Sequence, residues 1–162
     1  MDEGLAVIDA VRARFDGYRH NPWNEQECGH HYARAMASWA AVLALGGFHY
    51  SAVAGRLELA PRWKPEAFRS VWTLPCGWGL VSQAIAGSTQ LVVWEVLSGE
   101  LSTRTMRYAL PQEAEPRAVT CEVAGESHEP HVSRQGQAVD IHLPRAVTIA
   151  EGEVLRVHVE LA

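Results

Sequence analysis

Leu155-Arg156-Val157-His158-Val159-Glu160-Leu161 alternates apolar and polar side chains at every step. A period of two puts one set of side chains on each face of an extended chain, so this stretch reads as a half-buried β-strand. Two upstream stretches repeat the pattern. Val139, Ile141 and Leu143 alternate with Asp140 and His142, and Val119, Cys121 and Val123 alternate with Thr120 and Glu122. Leu91 to Leu97 is denser in apolar residues, as suits a strand covered on both faces. Gly99, Gly125, Gly136 and Gly152 punctuate these runs as turns. The spacing predicts about six to eight mostly antiparallel strands from Phe68 onward.

Toward the N-terminus the period changes. Leu5, Ile8, Val11 and Phe15 recur at three- and four-residue steps, one stripe of a helix that Asp16-Gly17 ends. After a loop through Tyr18, His20 and Pro22, a second helix is expected from Tyr32 to Leu45, closed by Gly46-Gly47. That segment is apolar nearly all round, so it must be covered on most sides. A short third helix is expected near Ser51 to Arg56. The switch of period falls near Ala60-Pro61, which divides the chain into a helical segment, 1–60, and a strand-rich segment, 61–162. One partner helix and one sheet would leave part of the second helix bare. An apolar stripe of that length exceeds the few hundred Å² a monomer normally exposes, so self-association is expected.

The chain has 162 residues, 48% hydrophobic and 20% charged, as in an ordinary globular protein. A domain of this size buries roughly 70% of its unfolded surface. The net charge of −5 argues against nucleic acid or an anionic membrane as partner. No apolar run approaches the ~20 residues of a membrane span, and no basic start followed by an apolar run marks a secretory signal. Cys28, Cys76 and Cys121 are odd in number, widely spaced and without a CxxC. They read as reduced, mostly buried thiols of a cytoplasmic protein.

The chemistry concentrates in His20-Asn21-Pro22-Trp23-Asn24-Glu25-Gln26-Glu27-Cys28-Gly29-His30-His31-Tyr32-Ala33-Arg34. Asn24 with Glu27 three residues later is a capping-box pattern. Capping leaves His30, His31 and Arg34 unexplained, because ionisable groups are rarely buried on an apolar helix without partners. Glu27, His31 and Arg34 stand at i, i+4 and i+7 and stack on one face if the helix starts early. Glu25 and Arg34 are nine positions apart and share a ligand only if it starts near Gly29. Spacing leaves both open, and a functional pocket competes with a structural ion-pair network. His30 and His31 are adjacent and diverge on a helix, unlike the i, i+4 pair of a zinc helix, so neither metal nor cofactor is expected. No local context marks a Ser–His–Asp triad or a Cys–His pair.

The run Asn21-Pro22-Trp23-Asn24-Glu25 through Glu27-Cys28-Gly29-His30-His31-Tyr32-Ala33-Arg34-Ala35-Met36-Ala37-Ser38-Trp39, followed by Gly47-Phe48-His49-Tyr50, resembles the last signature of the catalytic domain of glycoside hydrolase family 116. That family includes glucosylceramide and bile-acid β-glucosidases. Trp72, Gly77-Trp78-Gly79 and the strands after them look like the tail of bacterial members. The resemblance implies an α+β chain. Its helices would be the last of an (α/α)6 toroid, and a small, mostly antiparallel sheet or sandwich would follow. It also implies that Glu25 and Arg34 hold glucose hydroxyls, one accepting and the other donating in a fixed fork. Glu27 and His31, on the face of Arg34, join them as candidate substrate-binding residues.

A retaining glycosidase needs two carboxyl groups about 5–5.5 Å apart. In the family both lie upstream of the matched run, so no catalytic residue is assigned in this chain. The chain is expected to be the C-terminal end of a β-glucosidase, inactive alone. A glucoside would reach it through the parent enzyme, and the remainder of the toroid would be its partner. The six tryptophans and the strand-rich half also admit a carbohydrate-binding or purely structural β-module. A binding module would expose aromatics on one strand face, whereas Trp72, Trp78 and Trp94 lie in apolar contexts that favour the core.

Overall fold

The structure, a computed structural model, describes residues 2–21 and 35–162. Among them are two helices, α1 (Asp2–Arg12) and α2 (Ala35–Gly46). The strands are β1 (Phe48–Ser51), β2 (Arg56–Leu59), β3 (Ala67–Leu74), β4 (Gly77–Ala86), β5 (Thr89–Ala109), β6 (Pro116–Val123), β7 (Glu126–His128), β8 (His131–Gln135), β9 (Ala138–Ala150) and β10 (Val154–Leu161). The chain divides into two compact units, Met1–Val42 and Leu43–Ala162.

This corrects the toroid expectation. Among the described residues it is a β-sheet protein with two short helices, not the closing helices of an (α/α)6 ring. The reason lies in where the core is. A toroid helix is packed between others, but α1 has no buried residue, and Val7, Ile8 and Val11 are about half exposed. The buried cluster is built from strand residues instead.

In the first unit α1 ends at Arg12, short of Phe15. Asp16 then organises the loop: its Oδ1 accepts the N–H groups of Tyr18 at 2.9 Å and Arg19 at 2.8 Å. Those bonds favour the ionised form and hold its carboxyl below the ordinary value.

In the second unit, Gly47 caps α2 with φ 58° and gives its N–H to the Leu43 carbonyl at 2.8 Å. A Cβ there would collide with the Ala60 carbonyl, so glycine is required twice over. The expected short helix at Ser51–Arg56 is instead a turn. It joins β1 to β2, with Phe48 opposite Leu59 and Ser51 opposite Arg56. Strand structure therefore begins at Phe48, ahead of Ala60-Pro61.

Two sheets share β5. Sheet I runs β3-β4-β5-β10-β6-β7 and uses the first half of β5; sheet II runs β1-β2-β5-β9-β8 and uses the second half. Every pairing is antiparallel except β2 with β5. Extended, Trp94 and Tyr108 would stand roughly 46 Å apart, yet the Trp94 indole N–H donates to the Tyr108 hydroxyl at 3.0 Å. β5 must therefore fold back on itself. A bulge opposite Trp78/Gly79 and a positive φ at Gly99 provide the corner. The two sheets then face each other across one core that includes Trp72, Trp94, Tyr108, Ile141 and Val157.

Candidate functional site

Glu25, Glu27, His31 and Arg34 lie outside the described residues, as do Trp23, Cys28 and His30. The groups that the structure does place lie on the two outer faces of the sandwich.

On sheet II the strand register aligns His49, Glu58, Arg107, Asp140 and Ser133 in one row across five strands. The neighbouring row is Ser51, Arg56, Thr105, His142 and His131. These polar residues are largely tied to one another. Arg107 grips Asp140 with two bonds, Nε to Oδ1 at 2.6 Å and Nη2 to Oδ2 at 2.5 Å, and also donates to Gln135 Oε1 at 2.7 Å. Arg56 meets Glu58 at 2.6 Å, and His49 stands 3.5 Å from the same oxygen. The rings of His131 and His142 are 6.1 Å apart. Asp140 is only 4% exposed, but the guanidinium hydrogen-bonded to it holds its carboxyl below the ordinary value. This face cross-links β9 to β5 and β8; it does not hold a carboxylic acid ready to give up a proton near neutrality.

On sheet I the outward residues of β3, β4 and β5 line up as Arg69–Ser82–Val93, Val71–Leu80–Glu95 and Thr73–Trp78–Ser98. An open groove of about 350 Å³ lies over the first two rows. Its floor is Leu80, Ala84 and Val93, and Arg69, Ser82 and Glu95 stand around it. Among the described residues the side chains of Arg69, Ser82 and Glu95 have no hydrogen-bond or ion-pair partner. Trp78 is 49% exposed on the same face. The strands are locked beneath: Gly79 has no side chain to strike the Glu95 carbonyl, and that carbonyl accepts the Trp72 indole N–H at 3.2 Å.

Trp72 and Trp94 are buried as expected, whereas Trp78 is not. Period two cannot say which face points inward when both carry apolar groups. On β4 Trp78, Leu80 and Ser82 compete with Gly79, Val81 and Gln83. The run 91–97 was expected to be covered on both faces, but only Val92, Trp94 and Val96 are buried. The overlooked signal was Glu95, a single carboxylate inside that apolar run. Cys121 is buried and its thiol is pushed up to about 11 by loss of solvent, whereas Cys76 is exposed. Among the described residues no group of His, Cys, Asp and Glu could hold a metal ion, and no helix is long and apolar enough to cross a membrane.

No protein-family model matches the chain, and no curated protein matches it. The family-116 resemblance therefore rests on sequence alone, chiefly on the 21–50 segment and more loosely on Trp72, Gly77-Trp78-Gly79 and the strands that follow.

Proposed function

We propose that this chain is a non-catalytic part of a cytoplasmic β-glucosidase. Glu25 and Arg34, with Glu27 and His31 beside them, contact the glucose ring, and Leu43–Ala162 serves as an accessory β-sandwich. The motif resemblance supports the sugar role. The observation that carries the non-catalytic reading is Asp140. It is the one buried carboxylate among the described residues, and Arg107 occupies both of its oxygens. A glycosidase acid/base must keep its proton near working pH, which requires a raised pKa and a second carboxyl nearby. Asp140 is shifted the other way.

The test is hydrolysis of an aryl β-glucoside by the purified chain. No turnover is expected. Turnover abolished by Glu25→Gln or Arg34→Ala would overturn the reading.

A further inference from the structure

We propose that the outer face of sheet I is a binding site for a neutral oligosaccharide, held by Arg69, Ser82 and Glu95 over the Leu80–Val93 floor with Trp78 as a stacking platform. The inference deepens the reading above and rests on it only for the choice of β-linked glucose as a probe.

Four observations converge on this ligand class. First, the floor is apolar but shallow and open, and half-buried Leu80 and Val93 present a flat surface to whatever lies on it. A pyranose ring offers a matching patch of C–H groups, with its hydroxyls directed to the sides. Second, the sides of the groove carry the groups hydroxyls need. Arg69 donates in a fixed fork, Glu95 accepts, and the Ser82 hydroxyl does both. Third, those three side chains have no partner among the described residues, whereas on the opposite face Arg107, Asp140, Arg56 and Glu58 are all paired. One cation and one anion without partners across an apolar floor sum to zero charge, which suits an uncharged ligand better than an anion or a cation. Fourth, Trp78 is half exposed on the same strand face. An aromatic ring with one open face supplies stacking area at low conformational cost.

The dimensions agree. Arg69 is two strands from Val93, and Glu95 is two residues further along β5. Strand geometry puts the Cα atoms of Arg69 and Glu95 about 12 Å apart. With both side chains standing up from the sheet, that separation is wide enough for one sugar ring between them. Trp78 lies four residues along β4 from Ser82, roughly 13 Å away. One ring cannot touch both ends, so the site takes a short oligosaccharide in preference to a monosaccharide.

The experiment is calorimetric titration of the full chain with cellotetraose, maltotetraose, glucose and a zwitterionic peptide, repeated on Trp78→Ala, Arg69→Ala, Glu95→Ala, Glu25→Gln and Arg34→Ala. Trp63→Ala serves as a control, since Trp63 is comparably exposed but lies outside β3, β4 and β5. Unfolding midpoints establish that each variant is folded. Saturable binding of a tetrasaccharide is expected, tighter than glucose. Each groove variant should weaken it by at least about tenfold, and the control should leave it unchanged. Absence of saturable binding, binding that survives both Trp78→Ala and Arg69→Ala, or preference for a zwitterionic peptide would overturn the proposal. Binding lost only in Glu25→Gln or Arg34→Ala would also overturn it while leaving the glucose-contact reading intact. Turnover of an aryl β-glucoside with the groove still binding would have the opposite meaning, removing the non-catalytic reading and keeping this one.

Discussion

The two outer faces of the sandwich use similar residue types and arrange them differently. On sheet II, Arg107 is tied to both Asp140 and Gln135, and Arg56 is ion-paired with Glu58, its buried Nε alone lacking a partner among the described residues. On sheet I, Arg69 and Glu95 stand apart over an apolar floor with no side-chain partner among the described residues. Both faces hang from the same strand, β5, whose first half supplies Glu95 and whose second half supplies Arg107. Charge on a sheet face is thus not in itself a site. A satisfied network stiffens the fold, and only groups left without partners can turn to a ligand.

The largest expected effect comes from breaking what the faces share. Trp94→Ala should cost about 3–5 kcal/mol, because it empties the core under both faces and strips the Tyr108 hydroxyl of its donor. Denaturant unfolding checks it, and a loss below about 1 kcal/mol would mean that the fold-back of β5 is not held there.

Asp140→Ala comes next, at roughly 2–3 kcal/mol, since it leaves the partly buried Arg107 without its carboxylate and with only Gln135 to accept from it. The matching Arg69→Ala and Glu95→Ala changes on sheet I should stay within about 0.5 kcal/mol. Equal costs on the two faces would erase the contrast.

Acid sharpens the same point. The Asp140 carboxyl is depressed in the folded state by its bonds to Arg107, against an unfolded value near 3.9. Its contribution to stability is therefore fully present above about pH 4 and is lost as pH falls through the folded value. Asp140→Asn should be less stable at neutral pH and lose less on acidification below about pH 4 than the parent chain. Parallel curves for the two would contradict the assignment.

The smallest effect is chemical. A thiol reagent should modify exposed Cys76 in the folded chain and spare Cys121, which is buried with its thiol raised to about 11. Peptide mapping after labelling reads this directly, and rapid modification of Cys121 would show that sheet I opens.

The sheet was legible from particular residues. Leu155–Leu161, Val139–Leu143 and Val119–Val123 alternate cleanly because one side of each strand is buried, and each lies in a strand. The helical architecture was misread. α2 is apolar nearly all round because, Ser38 apart, it consists of Ala, Gly, Val, Leu, Met and Trp, and composition of that kind is silent on whether other helices surround it. Ser51–Arg56 is too short for a period, and its turn depends on Gly55 at φ 57°. Of the groove, Glu95 gave a signal as a lone carboxylate in an apolar run. Arg69, Ser82 and Trp78 did not, because their meeting depends on β3, β4 and β5 pairing in one register. Glu25 and Arg34 came from the motif, Glu27 and His31 from helical spacing with Arg34, and all four fall outside the described residues.

The contrast between the two faces is tested most directly by amide and indole chemical-shift mapping of the full chain during titration with cellotetraose. The account predicts shifts confined to Arg69, Val71, Leu80, Ser82, Val93 and Glu95, the Trp78 indole, and the segment that holds Glu25 and Arg34, with Arg107, Gln135 and Asp140 silent. Shifts centred on Arg107 and Asp140, or none on β3, β4 and β5 at saturating sugar, would contradict it.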